Sequence, residues 1–295
     1  MKAGVKARPF FIRTTVHCRD KTEVRQTKPS KTHAGHETGG SLRLDSQSGN
    51  EADSPFYSVT ISPNLPADYP RVQRVHSFAA LITTPFVGGV NALCWERELA
   101  GDFSEVVARL GAGEGIVTLD EARLLTLDVS PAGRTAIAMM LEDHRRLRER
   151  GLDPALNCIH AYPRDEEAGA VPTDVYSFHA DSAPVEADTW LCTYHGAPSE
   201  GLRNEEALRR VDDPATRAAL LKNFGGADDD AFAEYLRENC YDLHYAPLPQ
   251  AQPFSFGIGH LWRIAVDWPG SCVPPCIHRA PATRAGEPPR LLLIS

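Results

Sequence analysis

No stretch of this 295-residue chain comes near the roughly 20 consecutive apolar residues that a membrane-spanning helix requires, so no membrane partner is expected. Cysteine is present without pattern. Seven of them, an odd number at irregular spacing in a long chain, suit free thiols in a reducing compartment rather than a disulfide framework. The cluster Cys272-x₃-Cys276-x-His278 lacks the second Cys or His pair that a structural zinc site needs. Gly257-x-Gly259 falls short of a dinucleotide-binding fingerprint, and no internal repeat is visible, which excludes a solenoid. Positive charge is also scarce where it would matter. From residue 56 onward 21 basic residues face 33 acidic ones, a net of −12, which argues against nucleic acid or anionic lipid as the main partner. A small anionic ligand stays compatible with that balance, because one local arginine outweighs distant diffuse charge.

The basic residues concentrate at the start instead. Residues 1–55 hold ten Lys/Arg against six Asp/Glu, with hardly any apolar run after Ile12. Such a stretch has too little apolar surface to offset its ordering entropy and reads as a disordered basic tail. Met1 to Arg19 has the wrong composition for a secretory signal and only the outline of a transit peptide, so a cytoplasmic protein is expected.

Residues 56–295 read as a single α+β catalytic domain. Its first part, 56–155, reads as mainly helical, although Val90 to Trp95 has strand character. Phe103, Val106, Val107 and Leu110 keep the spacing of an amphipathic helix closed by Gly111. A longer helix starts at Ser130 with Pro131 in its first position, carries the stripe Ile137-Met140-Leu141-His144-Leu147 and stops before Gly151. From 156 to 295 the period shifts from 3.6 to 2. Leu156 to Tyr162, Asp174 to Asp181, Thr189 to His195, Phe254 to Asp267, Val273 to His278 and Arg290 to Ile294 read as strands. A helical insertion at 203–241, with pieces from Asn204 to Asn223 and from Asp229 to Asn239, interrupts them and is placed to act as a lid. Strands in this pattern predict an antiparallel sandwich or jelly roll with helices outside it.

Within that region lies the most informative pattern: His179-Ala180-Asp181, then His278 97 residues after the aspartate, then Arg290 twelve residues further on. Residues two apart on a strand project to one side, so His179 and Asp181 can reach one metal ion and a distant His278 can complete the set. Two histidines and a carboxylate fill one face of an octahedral ferrous site and leave positions for dioxygen and a co-substrate. Arg290 opens an otherwise apolar final strand. An arginine entering a sheet interior requires an anion, and its planar fork matches the far carboxylate of a 2-oxo acid.

These residues also carry a resemblance. The run from His179 to Ser295 is similar to the double-stranded β-helix (jelly-roll) core of the iron(II) and 2-oxoglutarate-dependent oxygenases. More closely, Phe178-His179-Ala180-Asp181, Leu191-Cys192-Thr193-Tyr194-His195-Gly196, His278-Arg279-Ala280-Pro281 and Arg290-Leu291-Leu292-Leu293 resemble a group of uncharacterised bacterial proteins in that superfamily. The likeness covers about 200 residues, from Val90 onward. It implies Fe(II) at His179, Asp181 and His278, the 2-oxoglutarate C5 carboxylate at Arg290, and a hydroxyl contact from Thr193. Dioxygen and a small polar metabolite such as an amino acid would be the other partners, with hydroxylation or a related C–H oxidation as outcome.

Arg279, Trp190 and Tyr194 are further candidates for substrate contacts, with core packing the competing explanation for the two aromatics. His160, His195, His244 and His260 are weighed as pocket residues or replacement ligands. Two other functions stay open: a cupin-type metalloenzyme working without 2-oxoglutarate, and a non-catalytic β-sandwich that binds a ligand or partner.

Overall fold

The computed structural model describes residues 65–66, 68–165, 169–283 and 286–295. The basic tail expected at 1–55 lies outside the described residues. The elements run β1 (Val72–Val75), α1 (Phe78–Thr83), β2 (Ala92–Trp95), α2 (Phe103–Leu110), β3 (Ile116–Leu119), α3 (Glu121–Leu125), α4 (Pro131–Glu149) and β4 (Ala155–Ile159). Then come β5 (Phe178–His179), β6 (Asp188–His195), β7 (Glu200–Leu202), β8 (Ala207–Arg209), α5 (Pro214–Phe224), α6 (Asp230–Glu238) and β9 (His244–Pro247). β10 (Phe254–Ser255), β11 (Leu261–Ala265), β12 (Ile277–Arg279) and β13 (Arg290–Ile294) complete the order. No helix among the described residues is long and apolar enough to cross a membrane.

The fold is mixed α+β, with two curled sheets that are antiparallel apart from the parallel pairing of β1 with β2. One sheet has the order β1-β2-β11-β6-β13-β4-β3 and the other β10-β7-β12-β5-β9-β8. Side-chain alternation in the larger sheet sorts two cores. On β6, Trp190, Cys192 and Tyr194 join the core with α2 and α4, whereas Leu191 packs with Ile159, Phe256, Trp262 and Leu292 in a second core. β13 follows the same rule, with Leu291 and Leu293 towards the helices and Leu292 in the second core.

Local rules place the helices. Side chains of Ser77, Asp102, Asp120, Ser130, Asp213 and Asp229 accept hydrogen bonds from first-turn N–H groups, so all six α-helices among the described residues start at a residue type that prefers that position. The buried stripe of α4 is Gly133, Ala136, Ile137, Met140, Asp143 and Leu147, rotated from the expected one so that a carboxylate faces inward. That carboxylate is fully matched: both Arg97 Nη atoms donate to Asp143, one at 2.7 Å, and the Tyr194 hydroxyl donates at 2.8 Å.

Three strand expectations and the start of the helical insertion change, and Val273 to His278 contracts to Ile277–Arg279 of β12. Asp174 to Asp181 shrinks to the two residues of β5, and Phe254 to Asp267 divides into β10 and β11, because Gly257 and Gly259 hold positive φ between them. The insertion at 203–241 is not helical at its start. Ala207–Arg209 pairs with β9 as an edge strand, with single 3₁₀ turns at Asn204–Glu206 and Arg210–Asp212, and helix begins at Pro214. Its helices surround a small core of their own, formed by Val211, Leu220, Phe232 and Leu236 with Val171. The part before residue 155 holds four helices, and it also supplies β1, β2 and β3 to the larger sheet.

Candidate metal centre

The smaller sheet brings the two distant histidines into one row. His179 on β5 stands directly opposite His278 on β12, and His244 on β9 stands opposite His179 from the other side. Ring centroids are 4.6 Å apart for His179 and His278 and 5.7 Å for His179 and His244. Neighbouring residues on these strands alternate away: Phe178 and Ile277 pack with Leu202 in a separate apolar cluster. Opposite His278 the next strand carries Gly201. A Cβ there would come within 2.3 Å of the Phe254 ring and 2.8 Å of Phe256, so the rings that close this side exclude any larger residue.

Asp181 leaves the strand where the chain crosses between sheets. Its carbonyl accepts the Asp267 N–H at 2.8 Å, and its side chain accepts the Thr189 hydroxyl of β6 at 2.5 Å. The carboxylate therefore hangs from the smaller sheet and is oriented by the larger one. His179 Nε2 lies 3.9 Å from Asp181 Oδ1, and His278 Nε2 lies 3.7 Å from Oδ2. Ligand atoms of all three residues fall within 4.8 Å of one another, the one such group found among the described residues.

The donor chemistry fits a divalent ion. His179 Nδ1–H donates to the Ser177 carbonyl at 2.8 Å and His278 Nδ1–H to that of Cys276 at 3.3 Å. Each bond fixes the tautomer that leaves the Nε2 lone pair free, the arrangement usual for ligating histidines. Metal–donor bonds of about 2.1 Å allow two donors on one ion to stand up to about 4 Å apart, so both carboxylate-to-imidazole spacings are within reach. Electrostatics agree with this. Burial, reinforced by His278, lowers the His179 pKa to about 4, so the imidazole is neutral and able to ligate at physiological pH. Burial alone would raise Asp181, but His278, His179 and the Thr189 hydroxyl together hold its carboxyl below the usual range. The buried group formed by His179, Asp181 and His278 can hold a metal ion.

Arg290 enters the space between the sheets from β13. It is 2% exposed. Its guanidinium donates to Tyr162 Oη at 2.8 Å, Ser199 Oγ at 3.0 Å and Thr193 Oγ1 at 3.3 Å, and its Nε has no partner. Among the described residues every acceptor it meets is a neutral hydroxyl. Burial pushes its pKa down, and among the described residues no carboxylate pairs with it. Thr189 and Thr193 share a face of β6, so Asp181 and Arg290 are tied to points about 13 Å apart along one strand.

Other sequence candidates lie elsewhere. Arg279 alternates away from His278, donates to Glu200 at 2.7 Å and stacks 4.2 Å over the Phe178 ring. Trp190 and Tyr194 belong to the helix-side core, on the opposite face of β6 from Thr189 and Thr193. They do not line the metal group, and the Tyr194 hydroxyl is spent on Asp143. His195 meets the Pro289 carbonyl at 3.1 Å, His160 sits 3.7 Å from Cys158 Sγ, and His260 Nδ1 accepts the Arg97 N–H. Thr189, Tyr162 and Ser199 escaped the sequence reading. Thr189 was discoverable from its i, i+4 relation to Thr193 on one strand face; the other two gave no signal in the chain. Comparison with protein-family models, curated proteins and solved structures finds no match for this chain.

Proposed function

We propose that the protein is a non-haem iron(II) and 2-oxoglutarate-dependent oxygenase that oxidises a C–H bond of a small polar molecule. The observation that carries the proposal is the pairing of a two-histidine, one-carboxylate group with a buried arginine that has no acid to neutralise it among the described residues. A metal centre alone would not require Arg290. A dianionic co-substrate that spans from the metal to a distant guanidinium accounts for both.

Strand order supports the finer fold reading. Taking β4, β5, β6, β7, β10, β11, β12 and β13 as first to eighth, the larger sheet holds the sixth, third, eighth and first side by side. The smaller holds the fifth, fourth, seventh and second. That is the double Greek-key order of an eight-stranded jelly roll, with β1, β2 and β3 extending one sheet and β8 and β9 the other.

His179, Asp181 and His278 would hold the iron, and Arg290, with Thr193, Ser199 and Tyr162 around it, would fix the far carboxylate of 2-oxoglutarate. When bound, ferrous iron would activate dioxygen, the oxidant, with 2-oxoglutarate giving two electrons as it takes up one oxygen atom and becomes succinate and carbon dioxide, and the substrate C–H bond giving the other two as it takes up the second. The residues of this chain orient and shield. Thr189 and the two backbone carbonyls hold the donor atoms in place, and Phe254 and Phe256 close the β7 side of the site against water. About 13 Å of strand between the two anchoring points favours a dicarboxylate over a short 2-oxo acid.

A second reading, a cupin-type centre without 2-oxoglutarate, is favoured only by His244, which could add a third imidazole beside His179. The test separates them. Purified protein loaded anaerobically with Fe(II) is assayed for 2-oxoglutarate binding and then, with oxygen, for succinate formation. Stoichiometric iron with 2-oxoglutarate binding that Arg290→Ala abolishes supports the oxygenase; iron bound with no affinity for 2-oxoglutarate supports the cupin reading.

A further inference from the structure

The metal group has a second flank, and it too ends in an arginine with no acid against it among the described residues. In the smaller sheet the order β7-β12-β5-β9-β8 sets His278 and His179 in the middle. Arg290 meets Ser199, immediately before β7. At the far side, β8 ends at Arg209, paired with Tyr245, and the next residue, Arg210, follows beside His244. The row therefore runs from the β7 flank through His278, His179 and His244 to Arg210.

Arg210 is half-buried, and among the described residues it makes neither an ion pair nor a hydrogen bond. Its Nε is sealed from solvent with no acceptor, and burial lowers its pKa. Its neighbours show that partners were available: Arg209 pairs with Asp212 at 3.5 Å, Arg217 with Asp228, and Arg203 with Asp68. His244 repeats the pattern, 2% exposed, with Nδ1 lacking any partner. A buried guanidinium N–H and a buried imidazole nitrogen left unmatched among the described residues are costly unless a ligand supplies the partner, and in the Nδ1–H tautomer both would donate to an anion.

We propose that Arg210 and His244 form an anion subsite that binds the carboxylate of the oxidised substrate, on the flank of the metal group opposite Arg290. This rests on the oxygenase reading for the word substrate, while the subsite itself rests on Arg210 and His244 alone. Two arginines on opposite flanks let two acids bind without exchange: the co-substrate on the β7 side, the substrate on the β8 side. The substrate class is then a small carboxylic acid, an amino acid or hydroxy acid, and the carbon presented to the metal is one remote from the carboxylate held by Arg210.

The test reads Arg210 directly. Full-length protein is treated with phenylglyoxal, which adds to unpaired guanidinium groups, and labelling at each arginine is mapped by mass spectrometry. Exposed Arg148, which has no ion pair among the described residues, serves as internal control. A panel of amino acids and hydroxy acids is tested, each beside the amine or alcohol that lacks its carboxylate. At least one acid is expected to slow Arg210 labelling fivefold or more, with its decarboxylated counterpart inactive, and the protection is expected to persist in Arg290→Lys and to weaken in His244→Ala. Equal labelling in the presence of every acid, or equal protection by the counterparts, overturns the subsite. Protection of Arg210 in a protein that binds neither iron nor 2-oxoglutarate would uphold the subsite and reject the oxygenase reading instead.

Discussion

His179 and His278 stand directly opposite one another on β5 and β12, their rings 4.6 Å apart, although about a third of the chain separates them in sequence. The metal group is thus a product of strand pairing. Neither histidine is placed by its own loop, so its geometry is as rigid as the sheet that carries it.

That rigidity makes ligand removal a clean test. His179→Ala, Asp181→Ala and His278→Ala are each expected to lower iron content from one per chain to near zero, because two remaining donors hold a divalent ion poorly. Metal analysis after gel filtration measures this. Unchanged content in all three variants would reject the assignment.

Arg290 should bind 2-oxoglutarate through shape as well as charge. Arg290→Lys is expected to weaken it and Arg290→Ala to weaken it more, the latter by about 2 to 5 kcal/mol for a desolvated two-point contact. Calorimetric titration of the iron-loaded protein gives the order. A variant with Ala and normal affinity would remove the arginine from the site.

Acid should destabilise the metal-free protein through its histidines. Burial, together with the nearby His179 and Arg210, lowers His244 to about 3 against the opposing pull of Asp165, and His179 lies at about 4. Both values fall below the ordinary 6.5, so the unfolded chain takes up protons that the folded chain refuses. The stability due to neutral burial is complete above pH 6.5 and is lost as pH falls towards 4. Each histidine accounts for on the order of 2 kcal/mol by about pH 4.5. Urea denaturation from pH 7.5 to 4.5 is expected to show a shallower decline in His244→Gln than in the parent. Parallel curves would mean that His244 titrates normally.

Asp143 in α4 should be among the most sensitive positions away from the metal. It is fully buried and holds Arg97 and the Tyr194 hydroxyl. Asp143→Ala leaves a buried guanidinium unpaired, with an expected loss of about 3 to 5 kcal/mol in urea denaturation. A loss below about 1 kcal/mol would show that Arg97 finds another acceptor.

How much of this was legible in the chain varied with the range of the interaction. Caps and breakers act within a few residues, so Ser130 and Pro131 located α4, and the spacing of Phe103, Val106, Val107 and Leu110 with Gly111 behind it located α2. His179, Asp181, His278 and Arg290 were singled out because a metal ion and an acid would demand those residue types at alternating or distal positions, and the fold does bring the first three together. The inward turn of Asp143 escaped, since only the arrival of Arg97 and Tyr194 from other elements makes a carboxylate stable there. β8 escaped because Ala207–Arg209 has no strand signal of its own and owes its conformation to β9. Trp190 and Tyr194 were suggested as pocket walls by their shared face, but the chain does not say which face of β6 meets helices and which meets the other sheet.

The position of β13 has a consequence for how the protein is made. It is an inner strand, bonded to β4 on one side and β6 on the other. While residues up to 289 are being synthesised, β4 and β6 leave a strand-wide gap between them, each with an unpaired edge and an apolar face. The larger sheet therefore cannot close until Arg290–Ile294 are free to pair. Until then the nascent chain presents two open edges to its neighbours, an aggregation hazard that a holding chaperone would relieve.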